Sequence, residues 1–168
     1  MIFFGHLGIT IFLGMLLFLP ILYVGIGALL PDIVDKLFFN LHLLPCGRSL
    51  AHNIFFGPAV AALIYLVTRR KDISLAILFG CYLHLIEDVT NFIPWFYPVV
   101  SYTFNCGPTT IHLGTFEIVA EVIGLSLLIL TIFYQSKVIY LREKINYWLR
   151  HNVNGRDKKK IRTKKRRV

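Results

Sequence analysis

The chain has 168 residues, of which 56% are hydrophobic and 16% are charged, and its mean hydropathy is +0.65. A water-soluble fold needs more charge than this to cover its surface, so the composition excludes an ordinary soluble domain and favours an integral membrane protein. The charge is also unevenly distributed. Residues 1–136 carry five Lys/Arg and seven Asp/Glu, whereas residues 137–168 carry thirteen Lys/Arg and two Asp/Glu. The basic character therefore belongs to the C-terminal segment.

Four apolar stretches are candidate membrane helices, although the second and third have only the minimum length, so that their ends must include some polar residues. They are residues 7–30, 54–67, 73–89 and 113–134. At a rise of ~1.5 Å per residue, the first could cross a bilayer core of ~30 Å as one straight helix, which is the arrangement we favour. The alternative is a break at Pro20 that turns residues 7–18 and 21–30 into a re-entrant hairpin. The predicted fold is an all-α, polytopic transmembrane helical bundle of about four spans in the cell membrane.

The distribution of cations predicts the orientation of these spans. The basic turn at residues 69–72 and the C-terminal cations should remain on the cytoplasmic side. The connections at residues 31–50 and 90–112 then lie on the outer face. Cys46 and Cys106 fall in these two connections, and they could form a disulfide there if that face is oxidising.

The C-terminal segment is predicted to lie at the membrane surface. The sequence divides into a transmembrane domain of residues 1–136, an interfacial amphipathic helix of residues 137–154 and a disordered basic tail of residues 155–168. Such a tail beside a membrane is expected to bind anionic lipid headgroups. Because the rest of the chain lies in the lipid bilayer, nucleic acid is not an expected partner.

Ionisable side chains in or beside a bilayer are costly, so each is expected to have a partner or a task. They occur here in pairs spaced by three or four residues, which places both members of a pair on one helix face. The pairs are Asp32/Asp35, Arg48/His52, His84/Asp88 and Glu117/Glu121. Four segments thus offer imidazole and carboxylate groups at a similar depth, which predicts a shared metal centre. Mixed ligation of this kind suits a divalent transition metal, zinc first and manganese or iron as alternatives.

Three of these pairs also have a purely structural interpretation. Asp32 and Asp35, which follow Leu29-Leu30-Pro31, could mark the end of a helix and a turn. His84 and Asp88 could form a buried hydrogen-bonded pair within one helix. Glu117 and Glu121 could form salt bridges with Arg48 or Lys36.

Several short motifs in order along the chain resemble those of one family. The motifs are Gly5-His6-Leu7, Leu29-Leu30-Pro31-Asp32-Ile33-Val34-Asp35, Gly47-Arg48-Ser49-Leu50-Ala51-His52 and His84-Leu85-Ile86-Glu87-Asp88. This set is similar to the membrane-bound metal-dependent hydrolases, an inner-membrane family whose members include LexA-regulated proteins. The resemblance covers about residues 5–98. The chain departs from the family in its Asp-x-x-Asp spacing, where the family has Asp-x-Asp.

The resemblance implies a metal-dependent hydrolase, and we expect its substrate to be a phosphoester of a lipid or lipid-linked molecule near the headgroup layer. The candidate metal ligands are His6, Asp32, Asp35, His52, His84 and Asp88. The candidate catalytic residues are Asp35 as a general base, Arg48 as the group that binds the anionic substrate, and Glu87. The alternative function is a non-enzymatic cation or proton carrier, or channel, that uses the same centre.

Overall fold

A computed structural model describes residues 3–89, 92–104 and 114–165 of the chain. The regular secondary structure of these residues is helical, and it consists of α1 (Phe3–Leu16), α2 (Ile21–Asn40), α3 (Phe56–Thr68), α4 (Lys71–Glu87) and α5 (Thr115–Lys165). The prediction of an all-α fold is therefore confirmed for the described residues. The chain divides into two compact units, residues 1–133 and 134–168. The predicted domain boundaries after residues 136 and 154 both lie within α5, and they stay predictions.

The first apolar stretch is two helices rather than one. α1 ends at Leu16, Phe18 adopts a left-handed backbone conformation with φ of 58°, and Pro20 immediately precedes α2. Neither residue fits within a continuous helix, because left-handed φ and a missing backbone N–H both interrupt its hydrogen bonding. The prediction of one straight span over residues 7–30 is therefore wrong, and the alternative break at Pro20 is confirmed.

The reversal after α1 lets this helix pack against both α2 and α4. The most extensive helix contact is between α2 and α4, and glycines make it close. A Cβ atom on Gly80 would overlap the carbonyl oxygen of Val24, and a Cβ on Gly27 would overlap the backbone of Ile77. Small residues let helix backbones approach in this way, as is common in membrane proteins.

The outward faces of α2, α3 and α4 carry large apolar side chains. Large hydrophobic side chains with more than half of their surface exposed occur on α2, α3 and α4, and they include Leu22, Ile33, Leu37, Leu63, Leu66, Val67, Leu75 and Ile86. A water-soluble bundle would instead place polar side chains on these faces. The surface of this unit is therefore suited to contact with lipid.

Helix length supports only part of the predicted topology. Among the described residues, one segment, Glu117–Trp148, is long and apolar enough to cross a membrane. α1 and α3 are apolar but have only 14 and 13 residues, and α4 has 17. Length and composition therefore support one of the four predicted spans.

We expect Gly80→Ala to destabilise the protein by about 1–3 kcal/mol, because the new Cβ must push the α2 backbone away from α4. Gly47→Ala is the matched control, since the nearest atom to its Cβ would be a side-chain carbon of Phe39 at 4.0 Å. Thermal unfolding of both variants in detergent checks this expectation. Equal melting temperatures for the two variants would contradict the close α2–α4 contact.

Candidate metal centre

Three potential metal ligands meet at one point in the first unit. Asp32 comes from α2, His84 from the last turn of α4, and His52 from the irregular segment of residues 41–55 that joins α2 to α3. One ligand atom from each lies within 4.8 Å of the others. His52 Nε2 is 3.2 Å from His84 Nε2 and 3.4 Å from Asp32 Oδ1, and His84 Nε2 is 3.8 Å from Asp32 Oδ1. Tetrahedral ligands at ~2.0–2.2 Å from zinc lie roughly 3.3–3.6 Å apart, so this spacing fits one ion.

Asp35 holds the irregular segment in place. Its side chain is completely buried, and it accepts hydrogen bonds from the backbone N–H of Ser49 at 2.7 Å and of Ala51 at 2.8 Å. His52 Nδ1 lies 2.7 Å from Asp35 Oδ2. In the tautomer whose Nδ1 donates to this carboxylate, Nε2 lies toward Asp32 and His84, and its lone pair is available to a metal ion. Both oxygens of Asp35 are thus engaged in positioning His52 and the backbone before it.

His6 is held by a carboxylate in the same manner. Its Nδ1 donates to Glu87 Oε2 at 2.6 Å, and Thr10 Oγ1 donates to Glu87 Oε1 at 3.0 Å. His6 Nε2 then lies 3.4 Å from Asp88 Oδ1, and the His6 ring centroid is 4.5 Å from that of His84. His6 and Asp88 therefore adjoin the cluster of Asp32, His52 and His84. This position of His6 depends on the reversal between α1 and α2.

Two cations complete the charge arrangement around the centre. Arg48 Nη2 lies 2.9 Å from Asp88 Oδ2, and Lys36 Nζ lies 2.6 Å from Asp32 Oδ2. Among the described residues these cations pair with Asp88 and Asp32, so the structural interpretation of Glu117 and Glu121 as their partners is wrong. Glu121 instead accepts hydrogen bonds from the backbone at the start of α1.

Electron-rich atoms face one another at the centre. Asp32 Oδ1 is buried and has no hydrogen-bond partner among the described residues, and it faces the Nε2 atoms of His52 and His84 at 3.4 and 3.8 Å. Burial lowers the pKa of His52, but the contacts with Asp32 and Asp35 outweigh burial and raise this pKa above its ordinary value. Opposed buried acceptors of this kind are costly unless a proton or a cation lies between them. The mixed set of two imidazoles and one carboxylate fits a divalent transition metal.

The structure brings the predicted site residues together, but they occupy different positions relative to the cluster. Asp32, His52 and His84 form the cluster, His6 and Asp88 adjoin it, and Arg48 contacts Asp88. Asp35 and Glu87 lie behind the imidazoles of His52 and His6. The sequence prediction missed Thr10, although Thr10 follows His6 by four residues on the same helix face, which is a signal for a shared site.

A disulfide and a side-chain cap also hold the irregular segment in place. Cys46 is disulfide-bonded, while Cys106 lies outside the described residues. Asn53 Oδ1 accepts hydrogen bonds from the backbone N–H of Phe55 and Phe56 at 2.9 and 3.0 Å, which fixes the start of α3. The segment that carries Arg48 and His52 is therefore held despite its lack of regular secondary structure.

Comparisons with known proteins give one match. A family model described as YdjM inner membrane protein matches residues 1–149, which include every residue of the centre. No curated protein and no solved structure matches the chain. The family match agrees with the apolar helix surfaces and with a membrane location. The chain belongs to the YdjM inner membrane protein family.

Proposed function

We propose that this protein is a metal-dependent hydrolase of the membrane that cleaves a phosphoester of a lipid or lipid-linked substrate. The observation that carries the proposal is the convergence of Asp32, His52 and His84, whose ligand atoms lie within 4.8 Å of one another. The carboxylate of Asp35 behind His52 is the arrangement that orients a metal-binding imidazole and raises its basicity. Zinc is the first choice of metal for this set of ligands, and manganese is the second.

The ligand roles follow from the positions of the side chains. Asp32, His52 and His84 would hold the metal, and His6 and Asp88 would complete its surroundings from the adjoining side. A bound divalent metal supplies Lewis acidity to a phosphoryl oxygen and to an attacking water. Asp35 and Glu87 keep His52 and His6 in the tautomer that presents Nε2 to the centre.

Arg48 is the group best placed to bind an anionic substrate. Its side chain is 35% exposed, and one guanidinium nitrogen bonds to the fully buried Asp88. Guanidinium has five donors in a planar fork, so donors remain for a phosphoryl group while Asp88 fixes the fork beside the centre. A phosphoester is therefore the substrate chemistry that the site fits best.

The proposed topology is multi-pass, with the centre facing away from the cytoplasm. In it α3, α4 and the apolar part of α5 cross the membrane, while α1 and α2 form a hairpin that returns His6 to the outer side. Arg69, Arg70 and Lys71 lie at the start of α4, and His84 lies near its end. The positive-inside rule then places the centre on the outer side. The disulfide at Cys46, beside the centre, is typical of an oxidising compartment.

This topology determines the proposed partners. A centre at the outer membrane–water boundary would meet lipid headgroups without extracting the lipid from the bilayer. The basic C-terminal segment would remain on the cytoplasmic side and bind anionic headgroups there.

We expect the purified protein to contain about one equivalent of transition metal, because three to five ligands surround one centre. Asp32→Asn and His84→Asn should each lose this metal. The controls are Asp72→Asn, whose carboxylate pairs with Arg70 at the other end of α4, and the exposed His42→Asn, whose φ of 56° suits asparagine. Metal analysis of detergent-solubilised protein is the measurement. Equal metal content in all four folded variants would exclude this centre.

Arg48→Lys should lower hydrolysis by about tenfold while the metal stays bound, because lysine keeps the charge but loses the planar fork. The assay measures chelator-sensitive release of phosphate or headgroup from a panel of phospholipids and soluble phosphomonoesters. Retention of full activity in Arg48→Lys would contradict the proposed role of the guanidinium. Bound metal without any chelator-sensitive turnover would favour the cation or proton carrier instead.

The orientation can be tested with an impermeant thiol reagent on intact cells. We expect Ser101→Cys to be labelled and Thr68→Cys to be protected, because residue 101 follows the centre and residue 68 lies beside the basic turn. Both side chains are exposed in the structure, and the wild type gives the background from its own cysteines. Labelling at residue 68 without labelling at residue 101 would reverse the proposed orientation.

A further inference from the structure

Glu121 of α5 binds the first turn of α1. Its Oε2 accepts a hydrogen bond from the backbone N–H of Phe4 at 2.8 Å, and its Oε1 accepts one from Gly5 at 3.0 Å. The first N–H groups of a helix have no partner within that helix, and the helix dipole favours negative charge at this end. One carboxylate therefore satisfies two of these groups from a residue more than a hundred positions away in sequence.

A second contact fixes α1 against α5. A Cβ atom on Gly8 would overlap the carbonyl oxygen of Gly124, and a Cβ on Gly124 would overlap the carbonyl oxygen of Phe4. Gly124 follows Glu121 by three residues, so both contacts come from the same face of α5. The direct backbone contact and the capping carboxylate together determine the position of α1 along α5.

His6 directly follows the two capped residues. Its side chain is 4% exposed, Nδ1 donates to Glu87, and Nε2 faces Asp88. Because α1 begins at Phe3, His6 lies in the first turn, where helices fray unless their N–H groups are bonded. The carboxylate that closes this turn therefore also determines whether the imidazole stays beside the centre.

We propose that Glu121 is a positioning residue for the metal centre, acting through the first turn of α1 on His6. This inference rests on the proposed metal centre. Glu121 contacts none of the ligand atoms, and its effect passes through the backbone of Phe4 and Gly5. The apolar helix α5 thus contributes to the centre without supplying a ligand.

The test compares Glu121→Ala with Glu117→Ala, which removes a carboxylate one turn earlier on α5. Two quantities are measured on the full-length protein in detergent: hydrogen–deuterium exchange of peptides from α1, and zinc affinity by competition with a chelator. Glu121→Ala should accelerate exchange in the first turns of α1 and weaken zinc binding by about tenfold, as loss of a residue that orients a ligand does. Glu121→Gln keeps one acceptor oxygen and should retain part of both properties, and Glu117→Ala should match the wild type.

The His6→Ala background separates positioning from general stability. If Glu121 acts through His6, adding Glu121→Ala to His6→Ala should weaken zinc binding no further. Additive losses would overturn the inference, as would faster exchange with unchanged zinc affinity or unchanged exchange in Glu121→Ala. A wild-type protein that binds no zinc or manganese would overturn the proposed function, and this inference with it.

Discussion

The buried carboxylate of Asp35 is the interaction on which the centre depends. It lies on α2 and accepts two hydrogen bonds from the backbone of the irregular segment and a third from His52. Without regular secondary structure, that segment needs another source of backbone partners, and a completely buried carboxylate supplies them. The same carboxylate fixes the tautomer of His52. Asp35 therefore determines both the fold of the irregular segment and the orientation of the imidazole at the centre.

The rest of the unit brings the other potential metal ligands to this point. Glycine contacts let α2 and α4 approach closely, so that Asp32 and His84 meet across the helix pair. The reversal before Pro20 returns α1 to the same end, where Glu87 holds His6 as Asp35 holds His52. The imidazoles of His52 and His6 are thus each hydrogen-bonded through Nδ1 to a carboxylate, and their Nε2 atoms lie on the opposite side of the ring. Such support holds both rings in a fixed orientation.

Much of the site could be predicted from the sequence, because costly ionisable groups in an apolar chain must converge or pair. The spacing of His84 and Asp88, and of Asp32 and Asp35, placed the right residue types on the right faces. The sequence could not show which of the two aspartates belongs to the cluster, because Asp32 and Asp35 have similar local surroundings in the sequence. Only the distances assign Asp32 to the cluster and Asp35 to the backbone of residues 49–51.

The sequence by itself determined the helical class, the apolar surfaces and the set of polar residues near one centre, because these follow from composition and local periodicity. The tertiary structure decided the course of the first stretch, the partners of Arg48 and Lys36, and the capping of α1 by Glu121. These features depend on contacts between residues far apart in sequence. Periodicity places a side chain on a helix face, but it does not select which distant group meets that face.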